Sequence, residues 1–431
     1  MKEQHHPPAS ARKLNIAVIG GSISGCLAAA LLRRSGHRVN VYERSGNDLQ
    51  GRGGGIATSA TLINKLKSEA LVDADFPTVF HGFLRLAVKT AEEPILGKCT
   101  WGPALDMQCV HWSGLFKELR SRIDNAQYHL NKELTDVIYT NYRPTMVFAD
   151  NSSEQVDLIV FCDGFRSLGR RLMHPDVELD YRGYVVWRGT LEESLYDAGS
   201  ALNEHPRLSF ATMPGSFITY LMPSESGSAK PGERVINWAA YLPVATEELA
   251  HYMVDRSGHL REGTVPAGHF PITAEQRLKA LMREQLPSVF SDIVSASVDT
   301  QFQPIRTTRV PSHYANRLCL VGDAAVAIQP MTGSGAFKAF ENARTLDEAV
   351  NAKGDLESNL RAWSERQTDL DHRLLATGLS MEQAFIWKTI DLATATADEI
   401  ENWWQGSIEY KPEYAYMELE HCLQTVQMMR Q

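Results

Sequence analysis

The stretch LNIAVIGGSISGCLAAALLRRSGHRVNVYER, residues 14–44, decides the fold of this chain. Its apolar beginning indicates a strand that ends in glycines, and the alanine- and leucine-rich part that follows indicates a helix closed by Gly36. RVNVYER then indicates a second strand. A strand, a glycine turn, a helix and another strand form the β-α-β unit in which dinucleotides bind. The sequence therefore predicts a Rossmann-like α/β domain.

The turn itself, VIGGSISG at residues 18–25, differs from the usual G-x-G-x-x-G because its middle position is Ser22. Gly20 permits the tight turn and Gly25 lets the helix pack closely on the strand. Ser22 is small enough to let the backbone approach a pyrophosphate, and its hydroxyl can donate to a phosphate oxygen beside the positive end of the helix. The alternative is a glycine turn that serves packing alone.

An acidic residue follows this unit at the place where ribose hydroxyls would lie. Glu43 stands eighteen residues beyond Gly25, at the end of the second predicted strand. A carboxylate at that position favours a free ribose 2′-hydroxyl, and therefore FAD or NAD over NADP. The motif by itself does not separate FAD from NAD.

The composition and net charge of the chain limit the kinds of molecule that it is expected to bind. The chain has 431 residues, 43% of them hydrophobic, and a formal net charge of -9. This balance argues against nucleic-acid and anionic-membrane partners, which need clustered positive charge. The six cysteines form no C-x-x-C pair, so neither a metal site nor a disulfide framework is predicted. With no signal peptide or membrane span in the sequence, we expect a cytoplasmic protein, either a monomer or a homodimer.

Two later segments repeat the pattern of a strand followed by an aspartate and a glycine. CDGFRSLGRR, residues 162–171, places Asp163 after an apolar run, and LVGDAAVAIQPMTGSGAFKAFENARTL, residues 320–346, places Asp323 after another. Between them, YRGYVVWRGTL (181–191), GSFITYLMP (215–223) and RVINWAAYLPV (234–244) predict strands of an antiparallel sheet with one face toward a cavity. The CDGFRSLGRR motif alone is also compatible with an ordinary Asp-Gly turn followed by a solvated basic helix.

Together, these three turns resemble those of the FAD-dependent aromatic hydroxylases built like p-hydroxybenzoate hydroxylase, the group A flavoprotein monooxygenases. The blocks GRGGGIATSATLINKL (51–66), YRGYVVWRGTL and GDAAV…ARTL (322–346) together resemble the 2,6-dihydroxypyridine 3-hydroxylase branch. The resemblance implies that the first turn holds the ADP half of FAD, that Asp163 touches FAD and that Asp323 binds its ribityl chain. It also implies that the loop from Pro330 to Ala336 faces the flavin ring.

Three positions depart from the wider family. Val326 stands where many members carry histidine, Trp112 where an arginine usually opens a helix, and Phe337 where asparagine is usual. These departures put in doubt the flavin contacts that the family makes through those side chains, but not the flavin itself.

From motifs and resemblance together we predict the architecture. A Rossmann-like FAD-binding domain comprises residues 14–80, 106–180 and 301–375, and an inserted antiparallel β-sheet substrate domain comprises 81–105 and 181–300. Residues 1–13 form a disordered lead and 376–431 a C-terminal helical tail. The predicted cofactor-binding residues are Gly20, Ser22, Ile23, Ser24, Glu43, Arg44, Arg52, Gly54, Gly55, Asp163, Asp323, Pro330, Gly333, Gly335 and Ala336.

The resemblance also implies a reaction. Reduced FAD would react with O2 to give a flavin C4a-hydroperoxide that hydroxylates an electron-rich aromatic or N-heteroaromatic small molecule, with NADH or NADPH as hydride donor. For catalysis we expect Arg188 to pair with an anionic substrate, Tyr220 to relay a proton, and His313 to border the pocket. The alternatives are an epoxidase, a Baeyer-Villiger enzyme or a reductase of the same fold, and a non-catalytic FAD-binding partner.

Overall fold

A computed structural model describes residues 13–47, 49, 53–202 and 205–408. The predicted β-α-β unit forms as expected. β1 (Asn15–Ile19) leads through the glycine turn into α1 (Ile23–Arg34), and β2 (Arg38–Tyr42) returns parallel to β1. Ile16, Ala17 and Val18 are completely buried, as expected for a central strand covered on both faces.

This unit belongs to a six-stranded sheet in the order β17-β18-β11-β1-β2-β7. Its remaining strands are β7 (Tyr128–His129), β11 (Leu158–Phe161), β17 (Tyr314–Ala315) and β18 (Leu318–Leu320). All neighbours run parallel except β17 and β18. The strands β1, β11 and β18 therefore bring the carboxyl ends of the three predicted turn motifs to one edge of the sheet.

Long helices cover this sheet. Helix α1 packs against α3 (Trp112–Ser121) and α8 (Gly335–Asn351). Helix α9 (Leu356–Glu382) packs in turn against α8. The apolar core between sheet and helices includes Leu27, Phe116 and Phe340, each at most 1% exposed. A separate small sheet flanks the domain and consists of β8 (Leu134–Thr140), β9 (Arg143–Phe148) and β10 (Ser153–Gln155).

The second large sheet has nine strands. Along its main path the order is β16-β12-β15-β14-β13-β4-β6-β3, and β5 pairs with β4. The strands are β3 (Gly55–Ser59), β4 (Val79–Val88), β5 (Lys98–Trp101), β6 (Ala104–His111), β12 (Asp180–Glu192), β13 (His205–Ser209), β14 (Ser216–Met222), β15 (Val235–Pro243) and β16 (Val298–Thr307). Since β3 and β6 are hydrogen-bonded into this sheet, it extends into segments that our boundaries assign to the FAD-binding domain.

One face of the nine-stranded sheet is a closed apolar core. Trp238 packs there edge-to-face against Trp187 and stacks on Phe217, and the cluster extends to the helices that follow β15. The helices of this region are α5 (Thr246–Met253), α6 (Ile272–Gln285) and α7 (Ser288–Ala296). Because side chains alternate along a strand, the residues between these aromatics point to the opposite face, where the cavity lies.

The remaining helices are α2 (Ala60–Ser68), α4 (Leu168–Met173) and α10 (Ala397–Ser407). A π-helical turn, Gln383–Trp387, follows α9 and packs on the second sheet. In the described part of the chain no helix is both long and apolar enough to cross a membrane. The predicted disordered lead, except for Lys13, and the tail beyond residue 408 lie outside the described residues.

The predicted fold class is confirmed: a Rossmann-like domain, an inserted sheet and C-terminal helices are all present. The domain boundaries stay a prediction.

Candidate active site

Two adjoining cavities lie at the edge of the six-stranded sheet where the predicted turn motifs meet. The first, the turn cavity, has a volume of about 570 Å³ and is lined by the residues that follow β1, β2 and β11. The second, the sheet cavity, has a volume of about 320 Å³ and lies between the α1 and α8 N-termini and the open face of the nine-stranded sheet. Ser22 and Trp112 line both. An extended ligand could therefore occupy the two cavities at once.

The first glycine turn is held by close backbone contacts. Gly20 has a φ of +95°, and a Cβ there would lie 2.5 Å from the carbonyl oxygen of Cys162. A Cβ on Gly25 would lie 1.9 Å from the carbonyl oxygen of Gly20. Both glycines are thus required by the packing of the turn itself.

The N-terminus of α1 opens toward the cavities. Ser22 is the N-cap residue, yet its side chain makes no capping hydrogen bond. Ile23 and Ser24 form the first turn and line the sheet cavity. The first amide groups of a helix lack intrahelical acceptors, and together with the helix dipole they favour an anionic group. This end of α1 therefore suits a pyrophosphate, and Ser22 does not obstruct it.

Glu43 is engaged with the same turn. One carboxylate oxygen, Oε2, accepts a hydrogen bond from the Gly21 amide at 2.8 Å, and Oε1 accepts one from the Ser45 amide at 2.9 Å. The residue is 7% exposed and lines the turn cavity beside Arg44. A carboxylate oxygen can accept more than one hydrogen bond, so the position remains compatible with ribose hydroxyls.

The segment before β3 forms a wall between the sheets. The Gly54 carbonyl accepts a hydrogen bond from the Trp112 amide, and the Gly55 amide donates to Asn237 Oδ1 at 2.9 Å. A Cβ on Gly55 would lie 2.5 Å from the Tyr220 ring, so glycine is needed for this close approach. The predicted cofactor residue Arg52 lies outside the described residues.

Asp163 presents an unsatisfied acceptor at the turn cavity. Its Oδ2 accepts a hydrogen bond from the Leu168 amide at 2.7 Å, whereas its Oδ1 is buried and has no hydrogen-bond partner within the described structure. Burial raises the pKa of this carboxyl, against the opposing effect of Ser167 and the α4 amides. Buried acceptors are normally paired, so Asp163 is ready for a donor such as a hydroxyl group of a ligand.

Asp323 and the loop after it line the sheet cavity. Asp323 Oδ1 pairs with the ammonium of Lys338 at 2.9 Å, and Lys338 is completely buried while the Asp323 side chain is 55% exposed. The ammonium also donates to the Val326 carbonyl oxygen. This buried cation holds the carboxylate in place at the rim, where its free oxygen can accept from a polyhydroxyl chain.

The loop from Pro330 to Ala336 ends at the N-terminus of α8. Gly333 takes the left-handed conformation, with a φ of +63°, and Ser334 caps α8 without a side-chain hydrogen bond. A Cβ on Gly335 would meet no described atom within 4 Å, so the backbone there borders open space. The α8 amides therefore present positive potential to whatever occupies the sheet cavity.

The three departures from the family pattern occupy different settings. Val326 and Phe337 are buried, at most 2% exposed, and belong to the two apolar cores on either side of the six-stranded sheet. Trp112 is half-buried, stacks on Phe116 with ring centroids 5.4 Å apart, and lies between the two cavities. Of the three, only Trp112 is therefore placed to contact a cofactor.

Two predicted catalytic residues come together and one does not. Arg188 and Tyr220 both line the sheet cavity, next to Tyr241. His313 is 0% exposed, with its Nε2 2.6 Å from Asp371 Oδ2 and its Nδ1 2.9 Å from the Leu320 carbonyl oxygen. Neither cavity is lined by His313, because α9 packs over it. The expectation that it borders the pocket is wrong, and we assign it a structural role.

Sequence reasoning missed Arg207 and Asn237, both of which line the sheet cavity. Asn237 lies in the predicted strand RVINWAAYLPV, four residues before Tyr241. Because side chains alternate along a strand, this spacing could have placed Asn237 on the same face as Tyr241. Arg207 lies in β13, which the sequence pattern did not single out as a strand.

These cavities fit FAD. The turn cavity offers an open helix N-terminus for a diphosphate, Glu43 for a ribose and the unpaired Asp163 oxygen for a hydroxyl group. The sheet cavity offers Asp323 and the bare backbone at Gly335. The residue types and the junction of the two cavities at Ser22 match an extended dinucleotide with a flavin at the end nearer the sheet.

Comparison with known proteins agrees with this geometry. Residues 18–66 match a family model described as an NAD(P)-binding Rossmann-like domain, and residues 181–306 match one described as FAD binding domain-like. The chain is 28% identical over 364 residues to 2,6-dihydroxypyridine 3-monooxygenase of Paenarthrobacter nicotinovorans, covering 84% of this chain and 88% of that protein. It is 27% identical to 3-amino-4-hydroxybenzoate 2-monooxygenase of Streptomyces cremeus, with 79% and 80% coverage.

A solved structure supports the same assignment. The structure of 2,6-dihydroxypyridine-3-hydroxylase from Arthrobacter nicotinovorans superposes with a TM-score of 0.79 and 26% identity, covering 88% of this chain and 94% of that one. The predicted family resemblance is thereby confirmed. The chain belongs to the family of FAD-binding monooxygenases and is an enzyme of that class.

Proposed function

We propose that this protein hydroxylates an electron-rich aromatic or N-heteroaromatic small molecule, using FAD, O2 and either NADH or NADPH. The observation that carries the proposal is the sheet cavity, which joins the Asp323 turn and the Pro330–Ala336 loop to a polar sheet face. The named substrates of the relatives, a dihydroxypyridine and an aminohydroxybenzoate, are ring compounds of this kind. FAD, when bound, would supply the oxygen-transfer chemistry that the resemblance implies.

The turn cavity would bind the ADP half of the cofactor. In this proposal the α1 N-terminus at Ser22, Ile23 and Ser24 holds the diphosphate, with Glu43 and Arg44 beside the adenosine ribose. Gly20 has no side chain to obstruct the approach.

The sheet cavity would hold the flavin end. Asp323 accepts from the ribityl hydroxyls, and the loop residues Pro330, Gly333, Gly335 and Ala336 form the wall of the ring site. The open α8 amides would stabilise negative charge that develops on a reduced ring. Gly54 and Gly55 would line the flavin site on the side opposite this loop.

The substrate would lie against the sheet face. Arg188 is placed to pair with an anionic oxygen of the substrate, and Tyr220 to pass a proton to or from a ring hydroxyl. Deprotonating the ring hydroxyl makes the ring a better nucleophile toward an electrophilic oxygen. Apolar side chains such as Ile218 and Met331 line the same space and would exclude water.

The test is oxygen-dependent oxidation of NADH and NADPH by the FAD-loaded protein. Hydroxypyridines, hydroxybenzoates and indoles are screened for acceleration, and hydroxylated product and hydrogen peroxide are both quantified. We expect at least one ring compound to accelerate oxidation and to yield product in amounts matching the nicotinamide consumed. Acceleration by none of them, with FAD bound, would contradict the proposal.

A further inference from the structure

A buried cation at the sheet cavity, Arg207, has no counter-ion among the residues that the structure describes. Arg207 in β13 is 3% exposed, and its Nε and Nη1 are buried without a hydrogen-bond acceptor. No carboxylate of the described chain pairs with it. Its guanidinium carbon lies 4.4 Å from the centroid of the Phe385 ring, so stacking covers one face while the Nε and Nη1 donors stay unsatisfied. Burying an unpaired charge is costly, and buried polar groups normally have partners, so a bound ligand is the natural acceptor.

A second arginine lies in the same row of the sheet. The strand register pairs Arg188 with Ala239, Ala239 with Ile218, and Ile218 with Arg207. Directly paired residues share a face, so these four side chains all point toward the cavity. With strands about 4.8 Å apart, the two arginine Cα atoms are separated by roughly 14 Å across the row. The small Ala239 and the apolar Ile218 line the cavity between the two arginines.

The charges around this row are unbalanced. The charged residues lining the sheet cavity are Arg188, Arg207 and Asp323, and the carboxylate of Asp323 is already paired with Lys338. Arg188 contributes a further buried Nε without an acceptor. Its Nη2 donates to the amide oxygen of Gln303 at 3.4 Å. The cavity therefore has excess positive charge in a protein of net charge -9.

A neutral donor stands beside both arginines. Tyr241 is 5% exposed, and burial raises the pKa of its phenol while Arg207 and Arg188 act in the opposite direction. The phenol therefore stays protonated at neutral pH and close to both cations. Two guanidiniums and a phenol offer hydrogen-bond donors to a group that carries a full negative charge and several acceptor lone pairs.

We propose that Arg207, together with Arg188 and Tyr241, forms a carboxylate-binding subsite, so that the substrate is an aromatic ring bearing a carboxylate. This inference rests on the proposed function. The planar fork of an arginine matches the two oxygens of a carboxylate and binds them in parallel, which a single phenolate oxygen cannot reproduce. Arg207 is assigned here as a binding residue that selects and orients the ring.

The experiment compares acids with their uncharged counterparts on the FAD-loaded enzyme. The probes are the three monohydroxybenzoates and 6-hydroxynicotinate, each against the carboxamide of the same ring. Dissociation constants come from the perturbation of flavin absorbance, which needs no turnover. We expect at least one carboxylate to bind ten-fold or more tightly than its carboxamide. If every carboxamide binds as well as its acid, the subsite proposal is overturned.

Two variants of Arg207 and one control variant test whether Arg207 causes the preference for carboxylates. Arg207→Met should reduce the preference to within about two-fold, and Arg207→Lys should keep part of it because the charge remains while the planar fork is lost. Arg361→Met removes an exposed arginine paired with Glu357 on α9, so it should keep the full preference. An Arg207→Met variant that binds FAD and retains the preference would contradict the assignment.

The outcomes separate the two proposals. If Arg207→Met does not fold, Arg207→Lys and the wild-type acid and amide series still decide the question. If acids bind preferentially through Arg207 but no ring compound accelerates nicotinamide oxidation, the subsite stands and the proposed function fails. If hydroxylation proceeds equally with acids and carboxamides, the proposed function stands and the subsite fails.

Discussion

Adding a single methyl group at Gly335 tests whether the α8 N-terminus forms a cofactor surface. Gly335 is the first residue of α8 and lines the sheet cavity, and its backbone does not require a positive φ. Since a Cβ there would meet no described atom within 4 Å, Gly335→Ala introduces no clash within the protein. Alanine has a higher helix propensity than glycine, so the free energy of unfolding should be unchanged or higher by up to about 1 kcal/mol.

In contrast to its effect on folding stability, Gly335→Ala should weaken the binding of FAD. The methyl group would occupy the open space in which a flavin must approach the backbone, and would keep the amide donors of this turn away from it. The oxidised flavin ring is neutral, and losing one hydrogen bond to a neutral group costs about 0.5–1.5 kcal/mol. This corresponds to a roughly 2- to 10-fold larger dissociation constant for FAD.

The assay is fluorescence titration of FAD into flavin-free protein, with urea denaturation as the measure of folding. Gly406→Ala is the matched control, because Gly406 lies in α10, lines neither cavity and likewise has open space at its Cβ position. It should leave FAD affinity unchanged. Wild-type FAD affinity in a folded Gly335→Ala variant would refute the placement of the flavin against this turn.

Three further substitutions probe the turns. Asp323→Ala should abolish FAD retention, because it removes the acceptor at the cavity rim; a purified variant with wild-type flavin absorbance would contradict this. Glu43→Ala should weaken FAD binding about 3- to 10-fold, since two backbone amides of the turn region lose their acceptor; unaltered affinity in a fluorescence titration would count against it. Gly20→Ala should lower the free energy of unfolding by about 2 kcal/mol or more, because its φ is +95° and its Cβ would lie 2.5 Å from the Cys162 carbonyl; a wild-type urea midpoint would disprove this.

Much of the fold follows from local sequence. The glycine spacing of residues 18–25 and the apolar run before it predict the β-α-β unit, because close packing of strand and helix permits few other residues there. Alternation also predicts the strands containing Arg188 and Tyr220. These signals depend on neighbours within a few residues, which a single sequence displays directly.

The parts that could not be predicted depend on distant pairing. Arg207 faces Arg188 only because four strands align in one register, and β13 runs parallel to β4, more than a hundred residues earlier. His313 is buried because Asp371, fifty-eight residues later, reaches it from α9. No local pattern contains either fact. Asp163 was predicted from its motif, but the lack of a partner for its Oδ1 is visible only in three dimensions.

Binding of FAD to the isolated protein tests the central claim most directly. Purified protein stripped of flavin is titrated with FAD and, separately, with NAD, and binding is followed by flavin fluorescence and by calorimetry. We predict one FAD per chain, a yellow complex after gel filtration, and much weaker binding of NAD. A folded protein that remains colourless, or that binds NAD as tightly as FAD, would contradict the account.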